Sequence, residues 1–92
     1  MSVGLEVAIE KSHEDEAEVE YVFFVREGRG GLVVPNATGR RGRVGLSKAT
    51  GDIALREPCP DDSGEVLFSR VMAVLTRHWK AGNYPSVTWW AG

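Results

Sequence analysis

A single cysteine, Cys59, and two histidines, His13 and His78, are all that this 92-residue sequence offers to thiol or soft-metal chemistry. One thiol cannot close an internal disulfide, which excludes the small secreted scaffolds held together by several. Apolar runs are short, and none approaches the ~20 residues that a membrane-spanning helix needs. Met1-Ser2-Val3 opens without the basic and apolar stretch of a secretory signal. A reducing, cytoplasmic location is therefore expected, with no membrane among the partners. Neither sign of charge dominates: 11 Lys and Arg stand against 13 Asp and Glu, a net charge of −2. No global field would draw such a chain onto nucleic acid. The glycine clusters Gly28-Arg29-Gly30-Gly31 and Gly39-Arg40-Arg41-Gly42 lack the Gly-Lys-Ser/Thr ending of a phosphate loop, and neither opens a helix. Turns that need positive φ account for them better.

What is present fits an ordinary globular chain, 42% hydrophobic and 26% charged, long enough for one domain over residues 1–92. Val3, Leu5, Val7 and Ile9 alternate with Gly4, Glu6, Ala8 and Glu10, the period of a half-buried strand. Lys11 to Ala17 is polar and acidic and reads as an exposed loop. Glu18 to Glu27 is a second strand, with Val19, Tyr21, Phe23 and Val25 on one face and Val22 and Phe24 on the other. Apolar residues on both faces place it centrally in a sheet. Leu32 to Val34 is a short third strand, stopped by Pro35. Asn36 to Gly42 is a loop. Arg43 to Lys48 and Asp52 to Glu57 are two further strands, joined by a tight hairpin with positive φ expected at Gly51.

Pro58, Cys59 and Pro60 end the sheet, and Asp62 or Ser63 is expected to cap a helix, with Glu65 completing a capping box. Leu67, Phe68, Val71, Met72, Val74, Leu75, His78 and Trp79 form one apolar stripe at helical spacing. Gly82 is the expected stop. Thr88, Trp89 and Trp90 form an apolar tail, expected to fold back over a sheet edge or the helix. The order predicts an α+β fold: a five-stranded antiparallel meander followed by one C-terminal helix packed on it. The same elements are compatible with a sheet curled into a small SH3-like or Sm-like barrel.

Charge is unevenly laid out. Residues 1–24 carry Glu6, Glu10, Glu14, Asp15, Glu16, Glu18 and Glu20 against Lys11 alone, whereas residues 25–57 are rich in arginine. Neutralisation between neighbouring strands is the leading explanation. The alternative is a binding site of Arg29, Arg40, Arg41 and Arg43, whose guanidinium forks suit phosphate or carboxylate. Other constellations favour bland readings. Cys59 and His78 lack a third orienting group, so Cys59 reads as a connector and His78 as the margin of the helical stripe. His13, Glu14, Asp15 and Glu16 are adjacent in sequence, a poor arrangement for converging on one cation, and read as a solvated turn.

The runs Ser47-Lys48-Ala49-Thr50-Gly51-Asp52-Ile53, Glu57-Pro58-Cys59-Pro60-Asp61-Asp62 and Arg77-His78-Trp79-Lys80-Ala81-Gly82-Asn83-Tyr84-Pro85 resemble the second half of a group of small bacterial proteins. That resemblance spans about half the chain and implies a bacterial protein, with no activity or functional residue attached. The expectation is a non-enzymatic binding or adaptor module that needs no cofactor and acts through a sheet face or the basic loop on a protein partner. An RNA- or single-strand-binding protein with a barrel-like sheet is the alternative.

Overall fold

A computed structural model describes residues 5–29, 32–34, 41–60 and 66–91, with side chains over 6–25, 41–60 and 66–90. The fold is α+β. Strands β1 (Leu5–Glu14), β2 (Glu18–Arg29), β3 (Leu32–Val34), β4 (Gly42–Ser47) and β5 (Ile53–Glu57) precede helix α1 (Val66–Ala81), and β6 (Val87–Ala91) follows it. All strands join one antiparallel sheet in the order β5-β4-β2-β1-β6, with β3 paired to β2 off that path. The sheet ends at β5 and β6 and is open, so the barrel closure that the same elements allowed is not adopted.

The alternation in β1 and β2 sets the core. Register pairs Ile9 with Phe23 and Val7 with Val25, and then Tyr21 with Val44 and Val19 with Leu46. One face of the sheet therefore carries Val7, Ile9, Val19, Tyr21, Phe23, Val44 and Leu46, all buried. Helix α1 seals that face with Val71, Val74 and Leu75. Burying such side chains contributes roughly 1.5–3 kcal/mol each before entropy is counted. Met72 shares the predicted stripe but lies at its margin, exposed. Two glycines clear space for this core. A Cβ on Gly42 would fall 2.2 Å from the Phe23 ring. Gly51 has φ +79°, and a Cβ there would fall 2.8 Å from Trp79. That closeness lets the Trp79 indole N–H donate to the Lys48 carbonyl at 2.9 Å, which ties the helix to the β4–β5 hairpin.

The helix stop at Gly82 is a Schellman motif. The Gly82 amide donates to the Trp79 carbonyl and the Asn83 amide to the His78 carbonyl, each at 3.0 Å, with Gly82 at φ +70°. The predicted cap at Asp62 or Ser63 lies outside the described residues, as do Pro35 and most of the loop after it.

Two expectations are corrected. Lys11 to Glu14 are strand, not loop: β1 continues through a bulge at Ser12, and only Asp15 to Ala17 turn. The turn is held by the Asp15 carboxylate, which accepts from the Ala17 and Glu18 amides at 2.8 Å each. Ladder pairing and this local cap override the polar composition. The third strand is not an interior member of the meander. β3 and β4 lie end to end along the same side of the long β2, β3 at residues 27–29 and β4 at residues 18–23. The apolar tail folds back over a sheet edge, as expected, and does so as a strand: β6 pairs antiparallel with β1 over Glu6–Glu10.

Candidate functional site

The period of two gives the sheet a second face, on which no described helix lies and where burial is uneven: Ala8 and Phe24 are buried, Val87 and Trp89 exposed. Its residues follow from register. Phe24 pairs with Ala8, and Ala8 with Trp89, which makes one row across β2, β1 and β6. Val22 pairs with Glu10, and Glu10 with Val87, which makes the next. On the far side of β2, Glu18 and Glu20 stand beside Arg43 and Gly45 of β4 and Arg56 of β5.

The β5-β4-β2 half of this open face is a lattice of charges. Arg43 Nε donates to Glu57 Oε2 at 2.9 Å, and its Nη1 lies 3.6 Å from Glu20 Oε1. Arg56 Nη1 donates to Glu20 Oε2 at 3.3 Å, and Nη2 contacts Glu18. Gly45 makes this reach possible, because a Cβ there would sit 2.6 Å from Arg56 Cζ. The guanidinium thus lies flat across β4. Cross-strand opposite charges of this kind contribute roughly 0.2–1 kcal/mol each when exposed. On the other side of the sheet, at the β1–β2 hairpin end where Lys11 and Glu14 pair with Tyr21 and Val19, Glu14 accepts from Lys11 at 2.5 Å and from Lys48 at 2.7 Å, which holds its carboxyl below the usual range. Asp15 is lowered too, first by the Ala17 amide and then by the Glu18 amide.

The β2-β1-β6 half is mainly apolar, with Glu10 between Val22 and Val87. Ala8 and Phe24 are buried in it, the latter only 6% exposed, with Arg41 Cζ 4.8 Å above the Phe24 ring centroid. Such stacking is worth roughly 0.5–1 kcal/mol at an exposed site. Outward along the same rows, Val87 and Trp89 are 54% and 56% exposed. The other tryptophan of the strand behaves differently. Trp90 faces the helix, packs on the core, and has Arg70 Cζ 4.1 Å from its ring centroid.

The four arginines singled out in the sequence are distributed as follows. Arg29 ends β2, and its side chain lies outside the described residues; Arg40 lies outside them altogether. Arg41 is exposed and stacked on Phe24, immediately before β4. Arg43 is in β4, as its strand pattern predicted, and is engaged by Glu57 and Glu20. Arg41 and Arg43 share the open face but have different surroundings, an aromatic ring for one and carboxylates for the other.

Trp89, Val87 and Phe24 share a face that only the strand register brings together. The alternation Val87-Thr88-Trp89-Trp90 carried the signal, but adjacent tryptophans obscure the period.

The structure places the remaining constellations apart from this face. Cys59 is buried in the core cluster. His78 Nε2 lies 2.9 Å from Thr88 Oγ1, a link between α1 and β6. Among the described residues, no three His, Cys, Asp or Glu side chains converge as metal ligands would, and no helix is long and apolar enough to cross a membrane. No protein-family model, curated protein or solved structure matches the chain.

Proposed function

We propose that the chain is a non-enzymatic binding module that engages a protein partner through the open face of its sheet. The observation that carries this reading is the exposure of Trp89 and Val87 on that face, in rows that continue to Ala8 and the Arg41-stacked Phe24 in one case and to Glu10 and Val22 in the other. Aromatic residues and arginine are the side chains that dominate protein interfaces, and a neighbouring charge lattice supplies a polar rim. A single-strand-binding reading draws on the same rings, since Phe24 and Trp89 with Arg41 resemble a stacking platform. Charge favours protein. Arg43 and Arg56 are matched by Glu18, Glu20 and Glu57 on the same face, and Glu10 lies between Val22 and Val87, which opposes a phosphate backbone. The bacterial origin and cytoplasmic location expected from the sequence belong to this proposal.

Affinity capture from extract with and without nuclease tests it. A captured protein, distinct from this chain, should persist after nuclease treatment and be lost with the double variant Arg41→Ala, Trp89→Ala. A single-stranded oligonucleotide shift that weakens steeply with salt would instead establish the nucleic-acid reading.

A further inference from the structure

The two edges of the sheet are built differently. β5 carries Arg56 and Glu57, and its pairing with β4 is interrupted by an irregularity between Arg43 and Val44. Charge and irregular pairing are devices that keep a sheet edge from pairing with another chain. β6 has neither. Val87-Thr88-Trp89-Trp90-Ala91 contains no charge and no proline, and its register with β1 runs unbroken over five pairs. Among the described residues nothing pairs with its outer side.

The direction of its free backbone groups follows from one hydrogen bond. The Lys11 amide donates to the Ser86 carbonyl at 2.8 Å, which makes 11 and 86 a hydrogen-bonded pair. In an antiparallel ladder such pairs alternate. Positions 88 and 90 therefore bond to β1, and the N–H and C=O groups of 87, 89 and 91 point outward.

We propose that β6 is a self-pairing edge, and that two copies of this chain associate by antiparallel β6–β6 contact about a two-fold axis at Trp89. That register is selected by the backbone. It sets 89 against 89 and 87 against 91, so every outward amide meets an outward carbonyl. A slip of one residue would pair outward groups with groups already used by β1. The side chains agree with the same register. On the open face the two exposed Trp89 rings become cross-strand neighbours, an aromatic pair at the centre of the seam. On the helix face Thr88 falls opposite Trp90. No charged residue of β6 meets its own copy, and the net charge of −2 leaves little repulsion between the two. An isologous contact of this kind closes on itself, so association stops at the dimer. The two sheets become one, and the two apolar halves merge into a single surface. This contact is set by strand geometry and does not depend on the identity of any other partner.

Sedimentation equilibrium between 1 and 200 µM, with amide hydrogen exchange on the same samples, tests it. The parent should reach a mass of twice 10.1 kDa at the upper end. The Val87 and Trp89 amides should slow at least tenfold between the lowest and the highest concentration. Val87→Pro removes an outward amide and leaves the β1 ladder intact, and Trp89→Lys places like charges on the two-fold axis. Each should shift the dissociation constant upward by at least 30-fold, with the melting temperature at 1 µM unchanged. A parent that stays monomeric at 200 µM overturns the proposal. So does a dimer that both variants leave intact, or a Trp89 amide whose exchange does not follow concentration, which would mean that another occupant holds the edge.

Discussion

The two faces of the sheet come from the same strands and the same alternation, yet they solve different problems. The helix-covered face is nearly uniform, with aliphatic and aromatic side chains buried to the last few per cent. The open face is divided: a charge lattice satisfies itself over β5, β4 and β2, while an apolar strip over β2, β1 and β6 is left half finished. A sheet needs only one sealed face to fold, so the composition of the other is free to be set by what it meets. The lattice shows that an uneven charge layout can be spent inside the molecule. The strip is buried at Ala8 and Phe24 and exposed only at its β6 end, Val87 and Trp89.

Removing comparable rings from the two faces is the strongest way to break this contrast. Phe23→Ala empties a fully buried site and should cost roughly 3–5 kcal/mol, whereas Trp89→Ala should cost less than about 1 kcal/mol despite the larger ring. Urea unfolding at low concentration gives both numbers. Equal losses would mean that the strip is also core. Next in size is the alkaline response of the covered face. Burial pushes the Tyr21 hydroxyl up to about 12 while it donates to the Pro85 carbonyl at 3.0 Å. A folded-state value above the ordinary 10 stabilises the protein below pH 10, and that contribution is lost as pH rises from 10 to 12. The loss should approach roughly 2–3 kcal/mol. Tyr21→Phe should flatten the stability profile across this window, and an unchanged slope would place the titration elsewhere.

Gly42→Ala probes how tightly the covered face is filled. Its new methyl meets the Phe23 ring, and a destabilisation of about 1–3 kcal/mol is expected. A neutral result would show slack in the core beneath β4. The smallest effect belongs to the lattice. Arg43→Ala with Arg56→Ala should cost about 1 kcal/mol in low salt and less in 0.5 M salt, because exposed pairs are screened. A loss insensitive to salt would mean that the arginine stems, not the charges, hold the edge.

Much of the covered face was legible in the sequence because it depends on periodicity. The alternation of Val19, Tyr21 and Phe23 and the helical spacing of Val71, Val74 and Leu75 each specify a buried side without reference to a partner. Gly51 and Gly82 announced positive φ and have it. Features set by long-range pairing were harder to read. Lys11 to Glu14 look like loop because their side chains are polar, and only the register with β2 makes them strand. β6 is short, contains two successive tryptophans and gains its identity from a β1 edge some eighty residues earlier in the chain. The candidate face was half legible for the same reason. Arg41 and Arg43 could be marked as a basic cluster, but the ring under one and the carboxylates around the other come from strands distant in sequence.

The pairing of β6 with β1 also bears on how the molecule is made. Every other neighbour in the sheet is joined by a local or moderately local connection, whereas this ladder must close a loop holding all the remaining elements, an entropic burden that slows folding. During synthesis at about 5–20 residues per second, several seconds separate the appearance of the first strand from that of its last neighbour. Until then β1 presents a bare ladder edge, with Val7 and Ile9 on the side that α1 will cover. Nascent chains held close together on one message would have their greatest chance of exchanging β6 strands in that interval.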